Sequence, residues 1–299
     1  MTRTWPGRLL LLIVPPVGLV ALWWWISANS DSSFFPPLSR VVDSLREDWL
    51  FEQFFSDLLP SLGRFSVGYA LAGAVGIVVG TLIGLLPRLQ QASRPVTEFV
   101  RSIPPPLMLP FTLVLIGTGN DAKVAVIVLG AVWPVLLNTI DGVRGVDPET
   151  LDMARSYGLS RWMRVSRVIL PGASPKIMVG LRTALSVALI LMIISEMVGA
   201  TNGLGFQVLS AQRGFDSAGT YAGVIVIGVV GLVVNAGFLL VEARIMRWYR
   251  GARGLLEVGE RRRRRLLRLP GRIAASDAIA DTALPSADVQ RVSLGGGPQ

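Results

Sequence analysis

The apolar residues of this chain are grouped into blocks that are separated by polar stretches. Most blocks are about 20 residues long, the length that a helix needs to cross a hydrocarbon layer of about 30 Å. The runs lie at about Leu9–Ile26, Gly63–Leu86, Pro105–Gly117, Ala122–Ile140, Ile177–Ala200 and Tyr221–Ile245. The third run is short and is broken by prolines. This pattern predicts an all-α, polytopic membrane protein with about six transmembrane helices.

The first run follows Arg3 and Arg8 and has the look of a signal peptide. It is long, however, and no small-x-small cleavage site follows it. We therefore expect the first run to be kept as a transmembrane helix.

The basic residues between the runs indicate an orientation. The links at 87–103 and 141–176 and the chain after Met246 are rich in Arg, whereas Ser27–Leu62 contains two Arg and six acidic residues. Loops on the cytosolic side carry an excess of Lys and Arg. We therefore expect both termini in the cytosol and Ser27–Leu62 outside.

Two further patterns concern the elements around the second run. Apolar residues recur at helical spacing over Leu38–Leu59, which predicts an amphipathic helix lying along the outer surface. The second run carries a small residue at every fourth position, and such a stripe lets another helix approach closely. The stripe consists of Gly68, Ala72, Gly76, Gly80 and Gly84.

Composition supports the membrane class and removes most kinds of chemistry. The chain is 51% hydrophobic and only 16% charged, whereas soluble domains carry about a quarter charged residues. Cys and His are both absent, which excludes disulfides and His or Cys nucleophile and metal sites. Lys123 and Lys176 are the only lysines, and neither belongs to a phosphate-binding G-x-x-x-x-G-K-[ST] motif. We predict no catalytic residue, no metal site and no cofactor in this chain.

The longest cytosolic link, 141–176, predicts two short helices joined at a tight bend. Asp147-Pro148-Glu149 combines an N-cap, a proline at the first helical position and an acid near the positive end of the helix dipole. Gly158 would close this first helix in the left-handed conformation. Ser160 would cap a second helix, which Pro171 would end.

The same link carries a resemblance to a known family. Asp152-Met153-Ala154, Gly158 and Val168-x-Leu170-Pro171 have the spacing of the EAA loop of ATP-binding-cassette (ABC) importer permeases, which reads Glu-Ala-Ala, three residues, Gly, nine residues, Ile-x-Leu-Pro. Asp152 keeps the charge of the usual Glu, and Met153 replaces an Ala. The resemblance covers about 61–249. Within the family, the sequence is most similar to the nitrate, sulfonate and taurine branch.

Further segments in the same order support this resemblance. They are Ser61-Leu62-Gly63-Arg64, Arg101-Ser102-Ile103-Pro104-Pro105, Pro134 to Thr139, Gly180-Leu181-Arg182, Glu196-Met197-Val198-Gly199 and Gly203-Leu204-Gly205.

The resemblance implies the permease of a type I ABC importer in the bacterial plasma membrane. Its implied partners are ABC ATPase subunits that bind ATP and Mg²⁺, a second permease subunit, expected to be an identical copy, and an extracytoplasmic solute-binding protein. The expected cargo is a small anion, nominally an aliphatic sulfonate, taurine or a nitrate-like ion. The implied ATPase-coupling residues are Asp152, Met153, Ala154, Gly158, Leu159, Ser160, Arg161 and Pro171.

Two other functions compete with this one. A secondary transporter or channel would normally hold ionisable residues near the midplane of several helices, and the apolar runs contain almost none. A membrane-embedded enzyme would need clustered acids, His, Cys or a Ser–base pair, which the sequence does not provide.

The proline-rich segment Ile103–Pro110 is the first candidate for the translocation pathway. Irregular backbone at membrane depth is tolerated only where protein or a water-filled cavity surrounds it. Pro104, Pro105 and Met108 therefore either border the path near its cytosolic end or form a loop in the membrane interface.

Charged residues near the helix ends are the other candidates. Glu196 lies near the outer end of the fifth run, and Arg64 enters the second run from the same side, so we predict that the two side chains meet. The pair either stabilises the structure or forms part of an outer gate. Direct contact with an anionic solute is the least favoured interpretation. Arg182, near the cytosolic end of the fifth run, either snorkels to the interface, pairs with Asp141 or binds the anion.

The sequence divides into three regions. Residues 1–60 contain the first helix and the outer amphipathic segment, 61–249 form the permease core, and 250–299 form a basic tail without apolar periodicity. We expect the tail to be mostly disordered. The run Arg261–Arg265 is expected near anionic lipid, and no nucleic-acid partner is predicted.

Overall fold

The computed structural model describes residues 5–28, 32 and 34–247, and every regular element in this part of the chain is helical. The predicted disordered tail and the lipid contact of Arg261–Arg265 lie outside the described residues. The helices are α1 (Trp5–Ser27), α2 (Leu38–Ser44), α3 (Leu59–Leu85), α4 (Pro87–Ser102), α5 (Leu109–Ile116), α6 (Asn120–Arg144), α7 (Pro148–Ser156), α8 (Arg161–Arg164), α9 (Leu170–Met197), α10 (Leu204–Arg213) and α11 (Ser217–Ile245). Three π-helical segments, Leu45–Glu52, Phe54–Leu58 and Val165–Ile169, and a 3₁₀ turn, Pro105–Met108, complete the set.

Several of these helices can cross a membrane. Four are long and apolar enough: Phe54–Leu85, Asn120–Arg144, Arg161–Met197 and Ser217–Ile245. The bent pair formed by α4 and Pro105–Ile116 makes a possible fifth span. The all-helical, multi-spanning architecture predicted from the apolar runs is confirmed. That α1 is also a transmembrane span, which would bring the number to six, stays a prediction.

The centre of the bundle is formed by α3, α6 and α9. The small-residue stripe of α3 packs against another helix, as predicted, and this helix is α6. The α6 residues that contact the stripe are also spaced at multiples of four. A Cβ built on a stripe glycine would lie 2.7–2.9 Å from an α6 side chain. The facing pairs are Gly68 with Ile127, Gly76 with Val135, Gly80 with Thr139 and Gly84 with Val143. The two backbones therefore approach so closely that a larger side chain has no room.

The segment before α3 differs from its prediction. It is helical from Leu38 onward, but it runs without a break through two π-helical segments into α3. Its apolar residues Leu38, Val41 and Trp49 are buried, and α2 packs against α11. The protein itself therefore covers the apolar face that we expected to meet lipid. The placement of this segment along the outer membrane surface stays a prediction.

A second difference concerns 87–103, which the sequence analysis treated as a link. The structure forms a 16-residue helix there, α4, with none of its residues buried. Its axis meets that of the following apolar segment at 91°. Pro104 and Pro105 stand at the bend, where they cannot continue the α4 hydrogen-bond pattern.

The two ends of the bundle contain different elements. The starts of α3 and α6, the end of α9 and the start of α10 meet at one end, through the contacts of Arg64 described below. The opposite end holds the end of α3, the end of α6 and the helix pair α7–α8. The helix ends thus lie on the sides that the predicted topology requires. The excess of Arg marks the α7–α8 end as the predicted cytosolic side.

Candidate coupling element and outer polar cluster

The link between α6 and α9 forms the predicted pair of short helices, which we call the coupling element (residues 147–164). Asp147 is the N-cap of α7, and its carboxylate accepts a hydrogen bond of 3.1 Å from the amide of Glu149. Ser160 is the N-cap of α8, and its hydroxyl accepts one of 3.3 Å from the amide of Met163. Both predicted caps are confirmed.

Gly158 forms the bend between the two helices. Its φ is +70°, in the left-handed region that residues with a Cβ avoid. The amide of Gly158 donates to the carbonyl of Arg155 at 2.9 Å, and the amide of Leu159 donates to that of Ala154 at 3.1 Å. These two bonds form a Schellman cap. The bend is therefore held by backbone hydrogen bonds rather than by surrounding side chains.

The outer surface of the coupling element carries exposed apolar side chains. Met153 is 57% exposed, Tyr157 85% and Trp162 76%. Asp152 forms an exposed ion pair of 2.7 Å with Arg155. Exposed aromatic and Met side chains are typical of protein contact surfaces. The sequence analysis did not include Tyr157 among the coupling residues, although it follows Met153 by one helical turn.

The inner surface of the coupling element rests on the bundle. Leu151 of α7 and Val165 pack on a buried apolar cluster that contains Val143 of α6 and Ile169. Ala154 is 5% exposed. The coupling element thus has one face attached to the helices of the bundle and another face open.

The prediction that Pro171 ends the second helix is wrong. α8, the π-helical segment Val165–Ile169 and α9 form one continuous helix, Arg161–Met197, of 37 residues. Pro171 lies in the first turn of α9, directly after the wider π turn. A shift in the hydrogen-bond pattern at that turn accommodates the missing N–H of the proline.

At the opposite end of the bundle, Arg64 and Glu196 form the predicted contact. Arg64 Nη1 lies 2.7 Å from Glu196 Oε1, with the side chains 5% and 0% exposed. Arg64 also donates to Asn120 Oδ1 at 2.8 Å and to both the carbonyl and the side chain of Asn202. Among the ion pairs of the described residues this one is buried, and the others are exposed.

The same cluster holds the start of α10 through its backbone amides. Gly203 N donates to Asp57 Oδ1 at 2.7 Å, Leu204 N to Ser61 Oγ at 3.0 Å, and Gly205 N to Glu196 Oε2 at 3.1 Å. The first amides of a helix have no partner within the helix and favour negative charge. We call this group, with Arg64, the outer polar cluster.

Asp57 and Lys123 belong to the outer polar cluster and were missed. Asp57 is 2% exposed and also accepts from Gln207 at 3.0 Å. Lys123 is 4% exposed and interacts electrostatically with Arg64 and Glu196. The outer polar cluster thus contains two acids and two cations. In the sequence, Asp57 is one of six acids in an outer segment, and only its place one helical turn before Ser61 hints at its role.

The proline-rich segment lies beside α6. A Cβ built on Gly130 would lie 2.9 Å from Pro105 Cβ, and Leu109 and Thr112 are buried. Pro104 is exposed, whereas Met108 is half-buried. The outer side of α5 is open, with Phe111 and Val114 72% and 85% exposed. The segment thus has one face on α6 and one face free.

Arg182 is exposed on α9. The ion pairs of the described residues do not join it to Asp141, so that alternative of the sequence analysis is not observed. Snorkelling and anion binding are both compatible with its exposure.

Comparison with known proteins identifies a matching family. The family described as "Binding-protein-dependent transport system inner membrane component" matches residues 74–247. The matched part contains α4 to α11, and therefore the whole coupling element.

Two similar proteins and one solved structure extend this match. The chain is 29% identical over 217 residues to the putative aliphatic sulfonates transport permease protein SsuC of Bacillus subtilis, covering 73% of this chain and 79% of that protein. It is 31% identical over 221 residues to the taurine transport system permease protein TauC of Escherichia coli, covering 72% and 80%. A structure of the MetNI methionine ABC transporter in an inward-facing conformation superposes with a TM-score of 0.56 at 19% identity, over 66% of this chain and 98% of that one. The structural likeness shows the fold alone.

Proposed function

Because this chain belongs to the family of inner-membrane components of binding-protein-dependent transport systems, the permease subunits of ABC importers, we propose that it imports a small anion by alternating access. Permease subunits of this family have no ATPase site of their own, and ATP is hydrolysed by a partner protein. The proposed cargo is an aliphatic sulfonate, taurine or a nitrate-like ion, and the names of the two relatives support the first two.

The observation that carries the proposal is the coupling element. It is stiff, because two capped helices are joined by a Schellman bend at Gly158, and it presents Met153, Tyr157 and Trp162 to the outside. A stiff body with an open apolar face suits insertion into a cleft of an ATPase. Asp152, Ala154, Leu159, Ser160 and Arg161 would support this contact or the shape of the bend.

The continuous helix Arg161–Met197 supplies a path for the movement. Its 37 residues span roughly 55 Å at 1.5 Å per residue. Closure of the ATPases would displace the coupling element, and the helix would carry this displacement to Glu196 at the other end. There the outer polar cluster links α9 to α3, α6 and α10, so these elements would shift together. In this account Glu196 and Arg64 connect the outer gate, and they do not bind the solute.

The pathway itself would be completed by a second permease subunit, proposed to be an identical copy. The open faces of α5 and α11 are apolar, and only 6% of the most apolar part of α11 is buried. Pro104, Pro105 and Met108 would border the path near its cytosolic end. Arg182 is the best-placed inner cation for an anionic solute, and an Arg182→Gln variant with normal uptake at normal expression would remove it from the path.

The proposed function is tested by purifying the chain with its ATPase and measuring ATP-dependent uptake in liposomes with the solute-binding protein. A Tyr157→Ser/Trp162→Ser double variant is expected to lose the ATPase during purification. The matched control is Phe215→Ser, because Phe215 is also 85% exposed but lies at the α10 end. Uptake that continues without any ATPase would contradict the proposal and favour a secondary transporter.

A panel of solutes tests the cargo. Taurine, an alkyl sulfonate and nitrate are each offered to the complete system, and stimulation of ATP hydrolysis is measured. We expect stimulation by at least one of these anions. Stimulation by neutral or cationic solutes alone would contradict the anion assignment.

A further inference from the structure

A cavity of about 600 Å³ lies between the inner face of the coupling element and the end of α3. Its walls come from the end of α3, the end of α6, α7, α8 and the π-helical segment that follows α8. The lining residues include Leu82, Leu85, Leu86, Arg144, Arg161 and Arg164.

The cavity combines two kinds of surface. Leucines of the last turn of α3 form an apolar side, and four arginines (Arg144, Arg155, Arg161 and Arg164) form a cationic side. Among the residues that the structure describes, none of those lining the cavity is acidic. Arg155 is paired with Asp152, but the ion pairs of the described residues leave the other three without a carboxylate. The buried Nε of Arg164 has no hydrogen-bond partner within residues 5–28, 32 and 34–247.

The cavity and the exposed surface of the coupling element lie on opposite sides of α7. Pro148, Leu151 and Arg155, at helical spacing, face the cavity. Met153 and Tyr157 are exposed, and at about 100° per residue they point about 180° away from that face. An ATPase that binds Met153 and Tyr157 would therefore leave the cavity free on the membrane side.

We propose that this cavity binds an anionic phospholipid of the inner leaflet. Guanidinium groups bind phosphate oxygens strongly, and basic pockets beside transmembrane helices on the cytosolic side suit anionic headgroups. Arg144, Arg161 and Arg164 would hold the phosphate, and Leu82, Leu85 and Leu86 would contact an acyl chain. This assignment rests on the proposed orientation, in which the end of α3 reaches the inner membrane surface.

The bound lipid has a consequence for the coupling element. Arg144 belongs to α6, whereas Arg161 and Arg164 belong to α8. A phosphate between them would brace α8 against the end of α6, and the movement that the coupling element passes to α9 would then depend on the lipid. We expect solute-dependent ATP hydrolysis to rise when phosphatidylglycerol is added to a phosphatidylcholine bilayer.

The test uses the complete complex, purified in detergent and passed into nanodiscs of phosphatidylcholine containing a small fraction of phosphatidylglycerol. Phosphatidylglycerol retained per complex is counted by native mass spectrometry. An Arg144→Gln/Arg164→Gln variant is expected to retain at least tenfold less phosphatidylglycerol, since each arginine contributes about fivefold to the affinity for the anionic lipid. The control is Arg167→Gln, because Arg167 is exposed on the same segment but does not line the cavity.

A second variant separates the charge from a folding defect. Arg144→Lys/Arg164→Lys keeps both charges and is expected to retain most of the phosphatidylglycerol. Equal retention by the Gln variant and the unmodified complex would overturn the proposal. Loss of the ATPase with unchanged lipid retention would also overturn it, and would assign these arginines to the ATPase instead.

Discussion

The buried pair of Arg64 and Glu196 connects four elements through two side chains. Each of its charges is removed from water, so each depends on the other and on its hydrogen bonds. Arg64 donates to Asn120 and Asn202, and Glu196 accepts from Ser61 and Gly205. Removing one partner leaves a buried charge without compensation. Single substitutions should therefore be more harmful than the loss of one ion pair suggests.

We predict that Arg64→Gln and Glu196→Gln each lower the free energy of unfolding by about 3 kcal/mol or more. The double variant should lose less than the sum of the two, because it removes one charge of each sign and leaves the net charge of the cluster unchanged. Thermal unfolding of the purified protein in one detergent provides the measurement.

The exposed pair of Arg94 and Glu98 is the control for this cycle. Its side chains are 76% and 54% exposed at (i, i+4) spacing. Arg94→Gln should cost only about 0.3–0.5 kcal/mol. Equal losses at the two pairs would contradict the assignment of Arg64 and Glu196 as a compensated buried pair.

Among the elements, α3 and α6 make the closest approach. We predict that Gly80→Ala destabilises the protein by about 1–3 kcal/mol, because the new methyl group would lie 2.8 Å from the backbone oxygen of Leu136. Gly63→Ala should stabilise it by about 0.5–1 kcal/mol, since Gly63 lies in the same helix with no atom within 4 Å of the new Cβ. Thermal unfolding that shifts in the same direction for both variants would contradict this packing.

The helix α10 depends on Asp57 for its position. We predict that Asp57→Ala increases amide hydrogen exchange at the start of α10, because Gly203 N and Gln207 lose their acceptor. Asp43→Ala is the control, since Asp43 is exposed in the same outer segment. Unchanged exchange in α10 would show that Asp57 does not hold this helix.

Elements that are determined by neighbouring residues could be predicted from the sequence, whereas elements that depend on distant contacts could not. Caps at Asp147, Gly158 and Ser160 are set by neighbouring residues, and all three were predicted. The apolar runs and the stripe of α3 are also visible in sequence. The role of Asp57 depends on an α10 amide 146 residues away, and no sequence pattern links them. The prediction that Pro171 ends a helix was wrong because it followed the average behaviour of proline, whereas here a π turn accommodates this residue.

At the scale of the whole molecule, one helix connects the two functional ends. Its first residues belong to the coupling element, and its last turn carries Glu196, which contacts Arg64 of α3 and the start of α10. In the proposed function, this helix would pass a displacement from one side of the membrane to the other. If the coupling element binds the ATPase as we propose, the stiffness of the bend at Gly158 would set how much of the ATPase movement enters the helix.

The most direct test is the ratio of solute transported to ATP hydrolysed, measured in liposomes with the complete importer for Gly158→Val and Gly158→Asn. Valine is strained at a φ of +70°, whereas asparagine tolerates this conformation. We predict that the Val variant loses coupling about tenfold or more, while the Asn variant keeps most of it. Equal coupling in the Val variant and the unmodified protein would contradict the central role of the coupling element.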